Sequence, residues 1–320
     1  RIDQFGEPTE QWRLALDVRE CEPGAGEIKV AVEACGLGLP DVLMCRNNYP
    51  LTPPLPFTPS QEAAGEVVAV GDGVDKDLIG TRIMGTTLFQ AQAGGLADYC
   101  LMSASAALPI PEAMRAEEAA GFFIPYMTAW VGLVRRGGLT ADDTLLVLGA
   151  SGSSGAAAVQ LGKAIGARVI AVAGGPEKAA FCQSIGADDI IDHHAEDITE
   201  ATRNLTHGVG ASMVFDPVGG KAGRAAFKAT AFEGRFVVIG YASGEWARIS
   251  LPETLMTNIS LVGAMPVGFS SDIMRGGVEE LIAYWERGQL KLSSQQVFEF
   301  DDALSAIAHI AGGKVEGKVI

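Results

Sequence analysis

No C-x-x-C pair occurs in this chain, and its five cysteines (Cys21, Cys35, Cys45, Cys100 and Cys182) form an odd set. That argues against a disulfide framework and a four-thiolate zinc site, and fits a reducing compartment. Positive charge is scarce as well: 24 Lys and Arg stand against 39 Asp and Glu, a formal net charge of −15. The resulting field repels nucleic acid and anionic membrane surfaces, so neither is expected as a partner. An unbroken apolar run of membrane length is missing. Residues 144–162 come nearest, but Gly149, Ser151, Gly152, Ser153, Ser154 and Gly155 interrupt them, which marks a soluble element. The chain opens at Arg1 without a basic, apolar, small-residue leader, so the cytoplasm is the expected location. Its 40 glycines follow no triplet period, which excludes collagen-like and low-complexity readings and leaves them to mark tight turns.

What is present organises 320 residues into about two domains. Up to about residue 111, short apolar runs at 27–34, 65–70, 80–85 and 96–102 are punctuated by Gly and Pro, with no sustained helical period. They read as strands of a barrel or sandwich. The prolines at 50, 53, 54, 56 and 59 predict a loop shaped by fixed φ angles. After Glu117 the texture becomes strand, helix, strand. Strands are predicted at 144–148, 168–173, 189–192, 211–216, 234–240 and 259–264, and helices at 155–165, 177–185, 195–205 and 222–230. This alternation builds a doubly wound parallel sheet, and six strands make a full dinucleotide fold. Beyond Met265 a helix at 277–287, a strand at 296–300, a helix at 302–311 and a last strand ending at Ile320 are expected to return to the first domain. The predicted boundaries are 1–121 and 266–320 for a barrel-like catalytic domain and 122–265 for a Rossmann dinucleotide-binding domain.

The strand at 144–148 runs into Gly149-Ala-Ser151-Gly152-Ser153-Ser154-Gly155 and then into a helix of small residues. Gly149 suits the tight turn, Gly152 lets a pyrophosphate approach the backbone, and Gly155 lets the helix pack close to the strand. About 20 residues on, an NAD-selective site places a carboxylate for the ribose hydroxyls; here Gly174 and Gly175 stand instead. Lys178, one helical step further, can neutralise a 2′-phosphate, which points to NADPH.

In order and spacing, Ile2-Asp-Gln-Phe-Gly-Glu-Pro8, Pro59-Ser-Gln-Glu-Ala-Ala-Gly-Glu-Val67, Gly94-Gly-Leu-Ala-Asp-Tyr99, Thr128-Ala-Trp130, the glycine loop, Gly234-Arg-Phe-Val-Val-Ile-Gly240 and Gly317-Lys-Val-Ile320 span nearly the whole chain. Together they resemble the medium-chain dehydrogenase/reductase superfamily, and within it the zinc-independent quinone oxidoreductases and their enoyl-reductase relatives. The resemblance implies a chaperonin-10-like barrel with the Rossmann domain inserted before its last elements, and commonly a homodimer. It places Asp41, Tyr49, Tyr126 and Thr128 at the nicotinamide and substrate cleft, and Gly240, Tyr241 and His193 among the cofactor-binding residues. His193 stands where many relatives carry a Tyr near the adenosine phosphate, and Gly38 where many carry Asn. In zinc-dependent relatives the thiolate position corresponds to Gly38 and the ligand histidine to Gln61, so three strong protein ligands cannot assemble and no metal is expected. Cys35 is expected to be a small core residue and the four histidines ordinary polar surface.

These observations predict an NADPH-dependent reductase that transfers hydride to a small molecule, either a quinone or an α,β-unsaturated carbonyl. Tyr49, Tyr126 or Thr128 are the groups able to donate a hydrogen bond to the oxygen that gains charge. Two alternatives stay open: an enoyl-thioester reductase, and a noncatalytic nucleotide-binding protein of structural or RNA-binding type. Alcohol oxidation with NAD lacks a visible base and zinc.

Overall fold

The computed structural model describes all residues except Asp17, Arg19, Ser293 and Ser294, and Gln295 without its side chain. The chain divides into two compact units, Arg1–Ile124 with Leu292–Ile320, and Pro125–Lys291.

The first unit opens with a short helix α1 (Pro8–Gln11), then β1 (Glu27–Gly36), helix α2 (Leu39–Cys45), β2 (Glu62–Val70), β3 (Arg82–Thr86), β4 (Tyr99–Ser103), β5 (Leu108–Pro109) and helix α3 (Ala116–Ala120). The strands form one antiparallel sheet in the order β4-β1-β2-β3-β5. Its interior follows the period of two that a strand imposes: Ile28 and Val30 on β1 face Met102 and Cys100 on β4, and Val30 also pairs with Val67 on β2. Cys100 is thus a packing residue at 0% exposure.

The second unit begins within helix α4 (Phe123–Trp130), which continues as a wider turn over Val131–Arg136. Sequence patterning placed no helix between 117 and 143. The reason is that Met127, Ala129, Trp130, Val131 and Leu133 are all buried, so the segment has no polar face to reveal a period. Then follow β6 (Thr144–Val147), α5 (Ser153–Ile165), β7 (Arg168–Ala173), α6 (Pro176–Ser184), β8 (Asp189–Asp192), α7 (Ile198–Leu205), β9 (Ala211–Asp216), α8 (Gly220–Lys228), β10 (Thr230–Val238), α9 (Leu251–Thr257), β11 (Ser260–Gly263) and α10 (Ser271–Glu286). The six strands are parallel in the order β11-β10-β9-β6-β7-β8, the doubly wound Rossmann arrangement. Leu145, Leu146 and Val147 at its centre are all fully buried, as a sheet covered on both faces requires.

Several element bounds differ from the expectation for local reasons. α7 starts at Ile198 rather than 195 because the Asp197 carboxylate caps it, accepting the Glu200 N–H at 2.9 Å. β10 begins at Thr230, inside the predicted helix, where its pairing with Ala211 starts. α10 belongs to the second unit instead of returning at 266: Glu280 accepts the Trp130 indole N–H at 2.8 Å, and a Cβ on Gly277 would stand 2.8 Å from the same ring. The chain therefore rejoins the first unit at Leu292, with β12 (Gln295–Gln296), α11 (Ala303–Ala311) and β13 (Lys318–Val319). The strand predicted at 296–300 shortens to β12, and Phe300–Asp302 forms a 3-10 turn.

Candidate functional site

In an open parallel sheet, ligands meet the carboxyl ends of the strands. β6 ends at Val147 and the chain turns at Gly149, whose φ of +56° lies in the left-handed region. Gly155 has a packing reason: its Cβ would fall 2.2 Å from the Gly149 carbonyl oxygen, so α5 lies against the loop only without a side chain there. Gly152 differs. It is the N-cap of α5 in extended backbone, and its Cβ would meet nothing nearer than the Gly149 oxygen at 3.4 Å, an ordinary contact. Packing does not demand a glycine at 152, whereas an anion approaching the backbone does. No side chain caps α5, and the first amides of a helix, here those of Ser153, Ser154 and Gly155, lack a carbonyl of their own helix. Ser153 and Ser154 are half-buried and Ser151 is buried. The loop thus fits a pyrophosphate.

At the next strand end, Gly175 N-caps α6 with φ +83°, and its N–H donates to Asp192 Oδ1 at 3.0 Å. The space beside Gly174, expected to be open, holds two imidazole edges. A Cβ on Gly174 would lie 2.7 Å from His194 Nε2 and 2.8 Å from His193 Nε2. The two rings pack edge to face with centroids 4.5 Å apart. Partial burial and then the neighbouring His194 hold His193 below the ordinary histidine value, and Lys178 in the first turn of α6 acts in the same direction. Both histidines are exposed, as expected, but their rings are packed on one another beside Gly174. His309, in the first unit, departs from the expected surface role: it is half-buried and bonds Gln296 Oε1 at 2.8 Å.

Gly240 and Tyr241 follow the end of β10. The Gly240 N–H donates to the Asp216 carbonyl at 3.1 Å, and the Tyr241 ring lies 4.5 Å from that of Trp246. A cavity of about 560 Å³ opens here, walled by Val238, Ile239, Trp246, Met265, Val267 and Phe269, with Arg136 as its charged lining residue. The Arg136 Nε–H donates to the Gly263 carbonyl at 3.1 Å. Of the two residues on α4, Thr128 is half-buried and Tyr126 buried. The Tyr126 hydroxyl engages the Gln160 side chain, and burial pushes its pKa well above the ordinary phenol value, which makes it a poor proton source.

In the first unit, Asp41 on α2 points inward and is 2% exposed. Its Oδ2 accepts the Gly38 N–H at 2.9 Å and its Oδ1 the Ser60 N–H at 2.7 Å, so it fastens the start of α2 to the start of β2. Burial raises its pKa to about 6 against those two hydrogen bonds. Asp41, expected at the substrate cleft, is thus held by two backbone amides. Tyr49, just after α2, is half-buried, with its ring on the cluster of Ile2, Val42, Met44 and Phe57. Burial pushes the Cys35 thiol up to about 12, so it is inert as a ligand or nucleophile.

The residues at the positions of a zinc site do not fit a metal. Gly38 has no donor, and a Cβ there would stand 3.7 Å from the Lys318 ammonium. Gln61 is buried with its amide nitrogen 4.0 Å from Met44 sulfur. Lys318 pairs instead with Glu62 at 2.5 Å, and Glu62 Oε2 accepts the Ile124 N–H at 2.7 Å. The Glu62 carboxylate, next to Gln61, is thus already paired with an ammonium. Among the described residues no group of three His, Cys, Asp or Glu side chains could hold a metal.

Within the second unit, Gly149, Ser151, Gly152, Ser153, Ser154, Gly155, Gly174, Gly175, Lys178, His193, Gly240 and Tyr241 thus follow the ends of β6, β7, β8 and β10 on one rim of the sheet. The sequence reading missed His194, the Trp246 and Phe269 wall, and the pairing of Glu62 with Lys318. Only adjacency to His193 could have indicated the first, and nothing local marks the others.

Comparison with known proteins bears on this arrangement. Residues 24–112 match the family model of the alcohol dehydrogenase GroES-like domain, and residues 155–283 that of the zinc-binding dehydrogenase. A quinone oxidoreductase-like protein 2 homolog of Nematostella vectensis is 34% identical over 304 residues, covering 93% of this chain and 82% of that protein. Among solved structures, Escherichia coli quinone oxidoreductase complexed with NADPH superposes with a TM-score of 0.89 at 25% identity, covering 100% of this chain and 98% of the other. The CurK enoyl reductase superposes with a TM-score of 0.86 at 25% identity, covering 100% and 97%.

Proposed function

The chain belongs to the medium-chain dehydrogenase/reductase superfamily, among its quinone oxidoreductase-like members, and from that membership we propose an NADPH-dependent, zinc-independent reductase of quinones or α,β-unsaturated carbonyls. The observation that carries the reading is Gly152, open at the N-terminus of α5 on a rim that also holds Gly174, Lys178 and His193. The binding of NADPH by the E. coli relative supports the same cofactor here.

When bound, NADPH supplies a hydride. The residues of this chain hold and orient the reactants. The α5 amides and the loop at Gly152 face the pyrophosphate, and Lys178 neutralises the 2′-phosphate. The Tyr49 hydroxyl is the first candidate to donate a hydrogen bond to the acceptor oxygen as charge develops on it; the proton would then come from that hydroxyl or from solvent. Thr128 is a second donor to that oxygen, while Tyr126, tied to Gln160, serves packing. The apolar wall of Trp246, Met265, Val267 and Phe269 suits a flat or extended apolar acceptor. With Lys178 changed to Glu, NADPH binding falls by roughly 1–3 kcal/mol and NADH binding little, the scale of a charge-assisted hydrogen bond.

An enoyl thioester is a second acceptor within the same chemistry, favoured by the likeness to CurK. We also propose a cytoplasmic homodimer. The edge strand β11 exposes Leu261, and α9 before it exposes Leu251, Leu255 and Met256. Turnover of quinones, enones and enoyl thioesters with NADPH and NADH, with and without chelator, tests the reading. Reduction of a quinone or enone by NADPH, unaffected by chelator, is the expected result; absence of turnover with all three classes overturns it.

A further inference from the structure

We propose that His193 and His194 act together as a protonation-dependent selector of the cofactor's 2′-phosphate, so that preference for NADPH over NADH strengthens as pH falls. The inference rests on the NADPH reading above and adds to it a second histidine and a pH response.

Both imidazoles fold over the turn between β7 and α6. Their Nε2 atoms lie 2.7 Å and 2.8 Å from the point where a Cβ on Gly174 would stand, and their centroids are 4.5 Å apart. Gly174 brings no charge from β7. Lys178 in the first turn of α6 acts on His193, with Glu177 beside it. From β8 comes Asp192, whose Oδ1 is engaged by the N–H groups of Gly175 at 3.0 Å and His194 at 2.9 Å. In the free protein this cluster is unfavourable to an imidazolium at His193, which is partly desolvated and has His194 and Lys178 beside it. A phosphate dianion reverses that balance. Imidazolium N–H groups then donate to its oxygens, and the repulsion at His193 is offset by the counter-charge.

Phosphate binding therefore raises the His193 pKa and takes up a proton. By linkage, affinity for the phosphorylated ligand grows as pH falls through the interval between the free and bound values. A ribose with free hydroxyls has no such dependence. The second ionisation of the phosphate itself, near pH 6, sets the lower end of the useful range.

Calorimetric titration of 2′,5′-ADP and ADP at pH 8.0 and 6.5, in two buffers of different ionisation enthalpy, together with NADPH and NADH, reads this directly. The expected result is that 2′,5′-ADP tightens about five- to tenfold at the lower pH with net proton uptake, while ADP changes by less than about twofold. His193→Gln and His194→Gln, shown to be folded by thermal melts, keep a preference for 2′,5′-ADP through Lys178 but lose most of its pH response. Unchanged 2′,5′-ADP affinity across this range in the wild type overturns the proposal and leaves the NADPH reading standing. A pH response that survives in both variants belongs to another group and also overturns it. Equal affinity for NADPH and NADH at every pH overturns the cofactor reading instead.

Discussion

Glu62 and Lys318 form a buried ion pair at 2.5 Å that joins the start of β2 to the last strand of the chain, β13. Glu62 is 1% exposed and also accepts the Ile124 N–H, so three distant stretches of sequence meet at one carboxylate. Removing the cation strands the charge. Lys318→Met should cost about 3–5 kcal/mol, whereas pairing it with Glu62→Gln should recover most of that loss. Denaturant unfolding of the single and double variants measures both.

Asp41 carries a pH prediction whose direction is the reverse of the usual carboxylate. Its native pKa of about 6 lies above the ordinary 3.8, so the folded state holds its proton more tightly than the unfolded chain. The stabilisation from that proton is full below about pH 4 and is lost as pH rises through 6. Asp41→Asn removes the titration, and one of the two N–H donors then loses its acceptor at every pH. Between pH 5.0 and 7.5 the stability of the wild type relative to this variant should fall by on the order of 1 kcal/mol. A difference that stays constant with pH excludes Asp41 as the titrating group.

The two glycines at the start of α5 should separate folding from binding. Gly155→Ala places a Cβ 2.2 Å from a backbone oxygen and should lower stability by roughly 2–3 kcal/mol or more. Gly152→Ala meets only an ordinary contact, so its melting temperature should stay near that of the wild type. Its NADPH affinity should fall by about tenfold or more, because the methyl group stands where the pyrophosphate approaches. Melting curves and cofactor titrations on the two proteins decide the matter.

Tyr49→Phe keeps the ring on its apolar cluster and removes only the hydroxyl. If that hydroxyl strengthens its bond to the acceptor oxygen in the transition state, kcat should drop by roughly 10- to 1000-fold. Steady-state kinetics with each accepted substrate separates this from a change in KM alone, which would make Tyr49 a wall of the site.

Much of this molecule is written locally. The runs at 168–173, 189–192 and 211–216 are strands in the structure with the same bounds, because each is a short apolar segment closed by turn residues. The glycine loop was legible for the same reason: Gly149 and Gly155 meet backbone constraints set by their immediate neighbours. Tertiary structure alone decided what depends on distant partners. It buried most of α4 and so obscured its period, and it held α10 against Trp130 in the second unit. It turned Asp41 onto two amides and Tyr126 onto Gln160, both of which sequence had offered to a substrate. It also brought the imidazoles of His193 and His194 over Gly174 and Lys318 onto Glu62. Periodicity and turn chemistry reach only a few residues along the chain, whereas a side chain's charge state and partners are set by whatever the fold places within a few ångströms of it.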